Sequence, residues 1–421
     1  MTTRLYYDDP YLSAFDATVT SVEPRGEAVA VTLDRTAFYP TSGGQPSDTG
    51  TLGGFRVIDV VDREDGAIEH VIDRSAEASR SAPHRTAGME REASAERTLA
   101  VGDTVHGDID FARRFDHMQQ HTGQHVLSAA FEHLFHVRTV SFHLGTDVST
   151  IDLARDVTQA ELTAAEQDAN RIVWEDRPVG IRYATEAEAA ALPLRKESKR
   201  GGTLRLIDVA DYDLSACGGT HVARTGAIGV ISIASWERFK GGVRLEFVCG
   251  GRALARFRAL RDTVAAATRL LSASAADLPQ TIERLQADAK DQKRAVTALQ
   301  TELARFRADE LAAAAAPIQL HDGSSVRLVA QALDADANTL KSLASAITSR
   351  AGLVAVLITR ATPALVVVAR SADVAGVNAQ QVLARLVTQF GGRGGGKAEL
   401  AQGGGLNGSI DQILNASATV L

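Results

Sequence analysis

Two histidines spaced four residues apart are the first candidates for chemistry in this chain. His121 and His125 lie in D-H-M-Q-Q-H-T-G-Q-H-V-L, a stretch whose apolar spacing predicts a helix. At this spacing both imidazoles project from one helix face, as two ligands of one metal ion must. A second pair, Cys217 and His221, follows in A-C-G-G-T-H-V. Together the two pairs predict a metal site, and thiolate and imidazole ligands favour zinc over magnesium or calcium.

The motifs H-T-G-Q-H and C-G-G-T-H resemble the editing domain shared by alanyl-tRNA synthetases and the free-standing alanyl-tRNA editing proteins, the AlaX family. The resemblance extends to F-Y-P-T-S-G-G-Q-P-S-D-T-G at residues 38–50 and to glycine-rich residues 391–405, in the order of the family's long form. It implies a zinc-dependent hydrolase that deacylates mischarged tRNA(Ala), chiefly the seryl and also the glycyl form. The metal site would then be the catalytic site, formed by His121, His125, Cys217 and His221.

The resemblance also implies which residues meet the acyl group. The loop at residues 38–50 would form a wall of the pocket, where Gly43 and Gly44 permit close approach and Gln45 offers an amide. Thr36, just before this loop, matches the family position implicated in sensing the serine hydroxyl. Two alternatives stay open: the loop is a plain hairpin connection, and Thr36 is an ordinary β-branched strand residue.

Two alternatives also stay open for the metal. Four protein ligands are typical of a closed structural zinc site, whereas a catalytic zinc usually keeps one position open. Either one ligand is displaced by water and substrate, or zinc positions the amino acid. The rival function is a non-catalytic tRNA-binding protein whose zinc is structural. Nothing in the sequence resembles a synthetase core, and the editing motif begins too early to leave room for one, so we expect editing in trans without ATP.

Composition narrows the class of protein. With 421 residues and 45% hydrophobic content, the chain can form several globular domains. Its apolar runs are too short to span a bilayer, and two cysteines give no disulfide framework, so we expect no membrane association and a cytoplasmic location. The net charge of −7 argues against a generally basic surface. A local basic run stands near the second metal motif: Arg195, Lys196, Lys199, Arg200 and, in the following strand, Arg205.

The sequence patterns of the strands and helices that must position these residues predict an α+β multidomain fold. Short alternating strands in residues 1–105 predict a small β-barrel, with a flexible insertion at 75–97. Residues 106–250, with strands and helices mixed, form the predicted zinc editing domain. Residues 251–317 are predicted to form a helical hairpin or an intermolecular coiled coil, because a heptad seam recurs there. The seam comprises Leu278, Ile282, Leu285, Ala289, Gln292, Val296, Leu299, Leu303 and Phe306.

Residues 318–421 alternate strands and helices and are predicted to form a separate α/β domain. Its segment G-G-R-G-G-G-K-A lacks the Ser or Thr of a nucleotide-binding P-loop and follows a helix rather than a strand, so we reject that function. The segment resembles the C-terminal domain that alanyl-tRNA synthetases share with DHH phosphoesterases, although the DHH catalytic part is missing. This implies that Arg393 and Lys397 bind tRNA, and a homodimer through the helical or C-terminal region is a further expectation. A flexible glycine loop is the alternative.

Overall fold

The computed structural model describes residues 1–77, 98–195, 202–321 and 323–421. Residues 78–97 of the predicted insertion lie outside these ranges, as do Lys196, Lys199 and Arg200 of the basic run. The contacts divide the chain into two compact units, Met1–Ala266 and Ala267–Leu421. The finer division into four domains stays a prediction. Among the described residues, no helix is long and apolar enough to cross a membrane.

The first unit begins with a closed six-stranded barrel, which confirms the predicted small barrel. The interior is apolar because alternate residues of each strand point inward, as Phe15, Ala17 and Val19 do. The barrel is closed in the order β2-β3-β7-β6-β5-β8, and a short parallel pair, β1 and β4, accompanies it. The strands are Thr3–Arg4 (β1), Ala14–Arg25 (β2), Ala28–Leu33 (β3), Arg35–Thr36 (β4), Gly50–Leu52 (β5), Phe55–Asp62 (β6), Ile68–Glu77 (β7) and Thr104–Ile109 (β8).

The histidine helix, α1, follows the barrel and is the longest helix of the first unit. Its apolar side packs with α2 in a core that also includes a four-stranded sheet of order β14-β15-β10-β9. A three-stranded sheet, β11-β12-β13, leads to the cysteine motif. The elements are Phe111–Phe135 (α1), Thr139–Leu144 (β9), Ser149–Leu153 (β10), Gln159–Trp174 (α2), Val179–Ala184 (β11), Glu186–Ala190 (α3), Leu204–Val209 (β12), Asp213–Ala216 (β13), Ile231–Phe239 (β14), Gly242–Cys249 (β15) and Gly250–Leu271 (α4).

The second unit is a six-stranded sheet with helices on both faces, in the order β16-β17-β18-β19-β21-β20. Only the β17–β18 pair is parallel, and β18 is buried along its whole length between two apolar cores. Its elements are Leu278–Ala313 (α5), Ala316–Gln319 (β16), Ser325–Leu333 (β17), Ala337–Thr348 (α6), Leu353–Thr359 (β18), Ala364–Arg370 (β19), Ala379–Phe390 (α7), Arg393–Gly396 (β20), Leu400–Leu406 (β21) and Ile410–Thr419 (α8).

Helix α5 buries a face other than the predicted seam. Ala304, Ala308 and Ala312 recur every fourth residue and belong to the core that contains α6, whereas the seam residues Leu299 and Phe306 are 64% and 68% exposed. Small alanines allow close helix contact, while the larger seam residues point elsewhere. The coiled coil therefore stays a prediction.

The glycine-rich tail forms a hairpin of β20 and β21 and is not a flexible loop. Gly394 pairs with Gly403 across the two strands, and one side of both packs on Leu383 of α7, where an added Cβ would clash. On the opposite side, Gly395 and Gly404 have open space. Glycine is thus explained at Gly394 and Gly403, because helix α7 lies too close for side chains on that side of the hairpin.

Candidate metal centre

Helix α1 places two of the predicted ligands deep in the first unit. The helix begins at Asp110, whose carboxylate accepts a hydrogen bond from the Arg113 N–H and caps the first turn. His121 and His125 are 1% and 3% exposed, with ring centroids 5.4 Å apart. The helical spacing therefore brings both imidazoles to one site, as predicted.

The other two predicted ligands lie in the tight turn that follows β13. Arg205 of β12 shapes this turn, because its guanidinium donates to the carbonyls of Cys217 and Gly219 at 2.8 and 2.9 Å. Gly219 is required by a close approach: an added Cβ would stand 2.1 Å from Cε1 of His121. The turn thus packs directly against His121 of α1.

The structure brings all four predicted ligands together. One ligand atom from each of His121, His125, Cys217 and His221 lies within 4.8 Å of the others. Cys217 Sγ is 3.3 Å from His121 Nε2 and 3.4 Å from His221 Nε2. A tetrahedral zinc would hold nitrogen and sulfur ligands about 3.5 Å apart, given its usual bond lengths. The donor set and spacing therefore fit zinc.

A carboxylate orients His125. Its Nδ1 lies 3.0 Å from Asp213 Oδ2, and a carboxylate can only accept, so Nδ1 carries the proton and Nε2 is free for a metal. Arg195 in turn binds Asp213, with Nε 2.5 Å from Oδ1. Burial would raise the pKa of Asp213, but the His125 hydrogen bond and the Arg195 charge hold it far below its usual value. Asp213 therefore stays an acceptor.

A hydroxyl orients His221 by the same logic. The Thr122 hydroxyl donates to the carbonyl of Met118 at 2.9 Å, so its oxygen must accept from Nδ1–H of His221 at 3.2 Å. The Val222 N–H donates to the same oxygen. Burial lowers the pKa of His221 to about 3, so the ring is neutral and Nε2 offers a lone pair.

An amide orients His121. The Thr220 N–H donates to one side-chain atom of Gln45 at 3.2 Å, which identifies that atom as the oxygen, Oε1. His121 Nδ1 lies 2.9 Å from the same oxygen and must therefore carry its proton. The three imidazoles thus share one tautomer, with Nδ1–H bound by the protein and Nε2 directed at the site.

The thiol of Cys217 is prepared for metal binding. Burial alone would raise its pKa, but electrostatic attraction to His121 in the metal-free site outweighs this effect and holds the pKa well below its usual value. The Gly219 N–H also approaches the sulfur at 3.4 Å. A thiolate is the form that binds zinc. Cys217 is half-buried whereas the three histidines are buried, so the site is most accessible on the cysteine side.

Thr36 of β4 is completely buried beside the barrel, and its hydroxyl is hydrogen-bonded to His70 of the barrel strand β7. Nδ1 of His70 donates to the carbonyl of Val31, and burial lowers the pKa of His70 to about 4, so Nε2 is an acceptor. The Thr36 hydroxyl therefore donates to Nε2 at 2.8 Å and accepts from the Phe38 N–H. One lone pair of the hydroxyl remains, so contact with a substrate hydroxyl stays a prediction.

The loop predicted as a pocket wall turns sharply at its two glycines. Gly43 and Gly44 have φ of +55° and +86°, and the flanking Ser42 and Gln45 exchange backbone hydrogen bonds. Two successive positive φ values are those of a type I′ turn, which explains the glycine pair. The Gln45 oxygen has both lone pairs engaged by the protein, so a substrate contact through its remaining N–H stays a prediction, as do contacts of the two glycines.

The described members of the basic run, Arg195 and Arg205, lie at the candidate metal centre. Arg195 binds Asp213, and Arg205 is 8% exposed in the cysteine turn. Sequence reasoning did not assign the acceptors Asp213 and Thr122. Thr122 lies inside H-T-G-Q-H, but nothing in the spacing of Asp213 marks it.

The two residues predicted to bind tRNA lie in the second unit. Arg393 lines a groove of about 450 Å³ with Leu365, Gln402 and the glycines of β20 and β21. Lys397 is exposed in the turn between these strands.

Two family descriptions match this chain. The threonyl and alanyl tRNA synthetase second additional domain matches residues 204–246, and the DHHA1 domain matches residues 325–421. The first match includes Cys217 and His221, and the second covers the six-stranded sheet from β17 onward.

The similar proteins include several alanine–tRNA ligases. The ligase of Halobacterium salinarum is 35% identical over this whole chain, which covers 44% of that protein. The ligase of Methanothrix thermoacetophila is 32% identical, again over the whole chain and 45% of that protein. The chain thus spans less than half the length of these curated relatives. A solved C-Ala domain of Aquifex aeolicus alanyl-tRNA synthetase is 23% identical and covers 25% of this chain and 97% of its own, with a TM-score of 0.23.

Proposed function

Because this chain is a relative of alanine–tRNA ligases and carries the second additional domain and the DHHA1 domain, we propose that it is a deacylase of mischarged tRNA(Ala). Its substrates are the seryl and glycyl esters, and it acts in trans. The observation that carries the proposal is the convergence of three uniformly oriented Nε2 atoms on the Cys217 thiolate. Zinc is the cofactor that such a donor set selects.

The chain's own residues hold the ester in place. Zinc held by these residues would polarise a water or the terminal ribose if one ligand is displaced, or would position the amino acid if all four stay bound. The aminoacyl ester is intrinsically labile, so orientation of the ester supplies much of the required rate. Residues 38–50 form one wall of the acyl pocket, with Thr36, Gly43, Gly44 and Gln45 nearest to the amino acid.

The second unit delivers the tRNA in this proposal. Arg393 and Lys397 are exposed and stand at the two ends of the glycine strand β20, where phosphates can approach without side-chain hindrance. A homodimer through the helical or C-terminal region belongs to the same proposal, because large apolar seam residues of α5 are exposed.

A tRNA-binding protein with a purely structural zinc is the second candidate. The observation that favours it is the four-ligand count, which leaves a tetrahedral zinc without an open position. The two candidates differ in turnover, because a structural zinc can be essential for folding without contributing to hydrolysis.

The decisive experiment is deacylation of seryl-tRNA(Ala) by the purified chain, before and after chelation. We expect hydrolysis that is lost on chelation and restored by added zinc, while circular dichroism stays unchanged. Cys217→Ala should lower both zinc content and hydrolysis. A folded, zinc-loaded chain that binds tRNA without hydrolysing the ester would favour the structural candidate, and full zinc in Cys217→Ala would refute the ligand assignment.

A further inference from the structure

Gln45 joins the barrel loop to both metal motifs. It is completely buried and is the last residue of the type I′ turn at residues 42–45. The loop carrying it is fixed elsewhere too, because the Leu144 N–H of β9 donates to the carbonyl of Gly44. The side chain thus leaves a braced turn and enters the space between α1 and the cysteine turn.

The protein engages both ends of the Gln45 amide. Nε2 donates to the Thr220 hydroxyl at 2.8 Å, while Oε1 accepts from the Thr220 N–H and from His121 Nδ1. Two bonds to one threonine fix the plane of the amide and exclude the flipped arrangement, in which an N–H would face the Thr220 N–H. The oxygen that meets His121 is therefore fixed before any metal binds.

We propose that Gln45 is a positioning residue for the metal ligand His121. Its oxygen selects the Nδ1–H tautomer of the ring and sets the direction of Nε2, and the amide clamps residues 42–45 to the cysteine turn. This inference rests on the zinc site of the proposed function. Partners that bind the second nitrogen of a metal-bound histidine typically change metal affinity 10–100-fold when they are lost.

The clamp makes the loop and the metal interdependent. If zinc holds His121 in the orientation that Gln45 stabilises, then the Gln45 contact must strengthen zinc binding by the same factor by which zinc strengthens the contact. Zinc would therefore stabilise the loop at residues 38–50, which the proposed function assigns to the acyl pocket, although no residue of this loop is a metal ligand.

The test compares zinc affinities by competition with a chromophoric chelator. Gln45→Met keeps length but removes the acceptor, and we expect zinc affinity to fall roughly 10–100-fold. Gln45→Glu keeps an acceptor for His121 and should stay within a few-fold of the original chain. Gln124→Met is the matched control, because Gln124 is a buried glutamine of α1 whose amide donates to Ser128 Oγ, and its loss should leave zinc affinity unchanged.

The measured zinc affinities distinguish failure of the Gln45 inference from failure of the zinc site itself. Equal zinc affinity in Gln45→Met and the original chain would overturn this inference alone, as would a Gln45→Glu variant as weak as Gln45→Met. If the original chain binds no zinc, the metal site of the proposed function fails first. Should Gln45→Met not fold, Thr220→Val removes only the hydroxyl that orients the amide: a several-fold loss of zinc affinity supports the inference, and no loss overturns it.

The interdependence has its own readout in hydrogen exchange. Zinc should slow backbone exchange in residues 42–48 of the original chain and leave that exchange unchanged in Gln45→Met. Equal slowing in both proteins would overturn the clamp between loop and metal.

Discussion

At the scale of single residues, the candidate metal centre depends on which ring nitrogen of each histidine carries the proton. Three different acceptors, an amide oxygen, a carboxylate and a hydroxyl, hold the Nδ1 protons of the three histidines. The two pairs of candidate ligands could be recognised from the sequence because the members of each pair are four residues apart. Gln45 and Asp213 were not predictable as partners, because they lie 76 and 88 residues from the histidines they orient.

Thr36 is the residue on which amino-acid selectivity can be tested. Thr36→Val removes the hydroxyl at nearly constant shape, and a neutral hydrogen bond contributes about 0.5–1.5 kcal/mol. We expect seryl-tRNA(Ala) hydrolysis to fall roughly 2- to 10-fold relative to glycyl-tRNA(Ala), measured as kcat/KM for both esters.

Thr36→Ser is the control, since it keeps the hydroxyl and should keep the seryl preference. Thr36→Val also leaves His70 Nε2 without its partner, which costs about 1–3 kcal/mol of stability, so folding must be checked by circular dichroism. An unchanged seryl to glycyl ratio in folded Thr36→Val would place the discriminating group elsewhere.

At the scale of elements, α1 joins the barrel to the metal centre through one buried ion pair. Arg114 of α1 and Asp48 are both completely buried. Arg114 also donates to the carbonyl of Ala37, and Asp48 accepts from the Tyr39 N–H at 2.6 Å. Both ends of the loop at residues 38–50 are thus fastened to the helix that carries His121.

This ion pair should dominate the stability of the first unit. Asp48→Asn leaves the Arg114 charge buried without a counter-charge, and we expect a loss of about 3–5 kcal/mol in the free energy of unfolding. Urea denaturation followed by tryptophan fluorescence measures it, because Trp174 and Trp236, the two tryptophans of the chain, both lie in the first unit.

A surface ion pair supplies the matched control. Asp208 binds Arg182 across β11 and β12 at 3.0 Å, with both side chains partly exposed to water. Asp208→Asn should cost less than about 1 kcal/mol. Similar losses in Asp48→Asn and Asp208→Asn would contradict the fastening role of the buried pair.

Strands and helices could be predicted where the apolar residues form a strong local pattern in the sequence. Strands β18 and β19 are continuous apolar runs, the kind of local pattern from which alternating strands and helices were predicted for residues 318–421. The hairpin of β20 and β21 was not predicted, since glycine disfavours strands unless a neighbour excludes side chains, and that neighbour, Leu383, is visible only in three dimensions. The buried alanines of α5 were not predicted either. The larger apolar residues of the heptad seam give a stronger pattern in the sequence, and the packing of the alanines against α6 is visible only in three dimensions.

At the scale of the whole molecule, the two units divide the proposed work. The first contains every proposed metal ligand, and the second contains Arg393 and Lys397. The boundary lies within α4, at Ala266, and the start of α4 belongs to the first unit: Arg252 binds Asp116 of α1 and the carbonyl of Gly145. A cut directly after β15 would therefore remove a support of the histidine helix.

Truncation after Ala266 should separate binding from hydrolysis. We expect tRNA affinity at low salt to fall roughly tenfold or more, because phosphate contacts of the second unit are lost. Hydrolysis of a minimal seryl ester of the acceptor end should stay within a few-fold. Filter binding and ester hydrolysis measure the two effects, and unchanged tRNA affinity would contradict the role given to the second unit.

Strand β20 has a consequence for how copies of this protein behave beside one another. It is the outermost strand of its sheet, and three of its four residues are glycines, so its outer backbone groups have no side chains to shield them. Bare edges of this kind invite pairing between molecules, and charged residues on or beside an edge oppose it. Arg393 and Lys397 flank the glycines. A variant neutral at both positions would lose that protection, and self-association of its copies would imitate a loss of RNA binding.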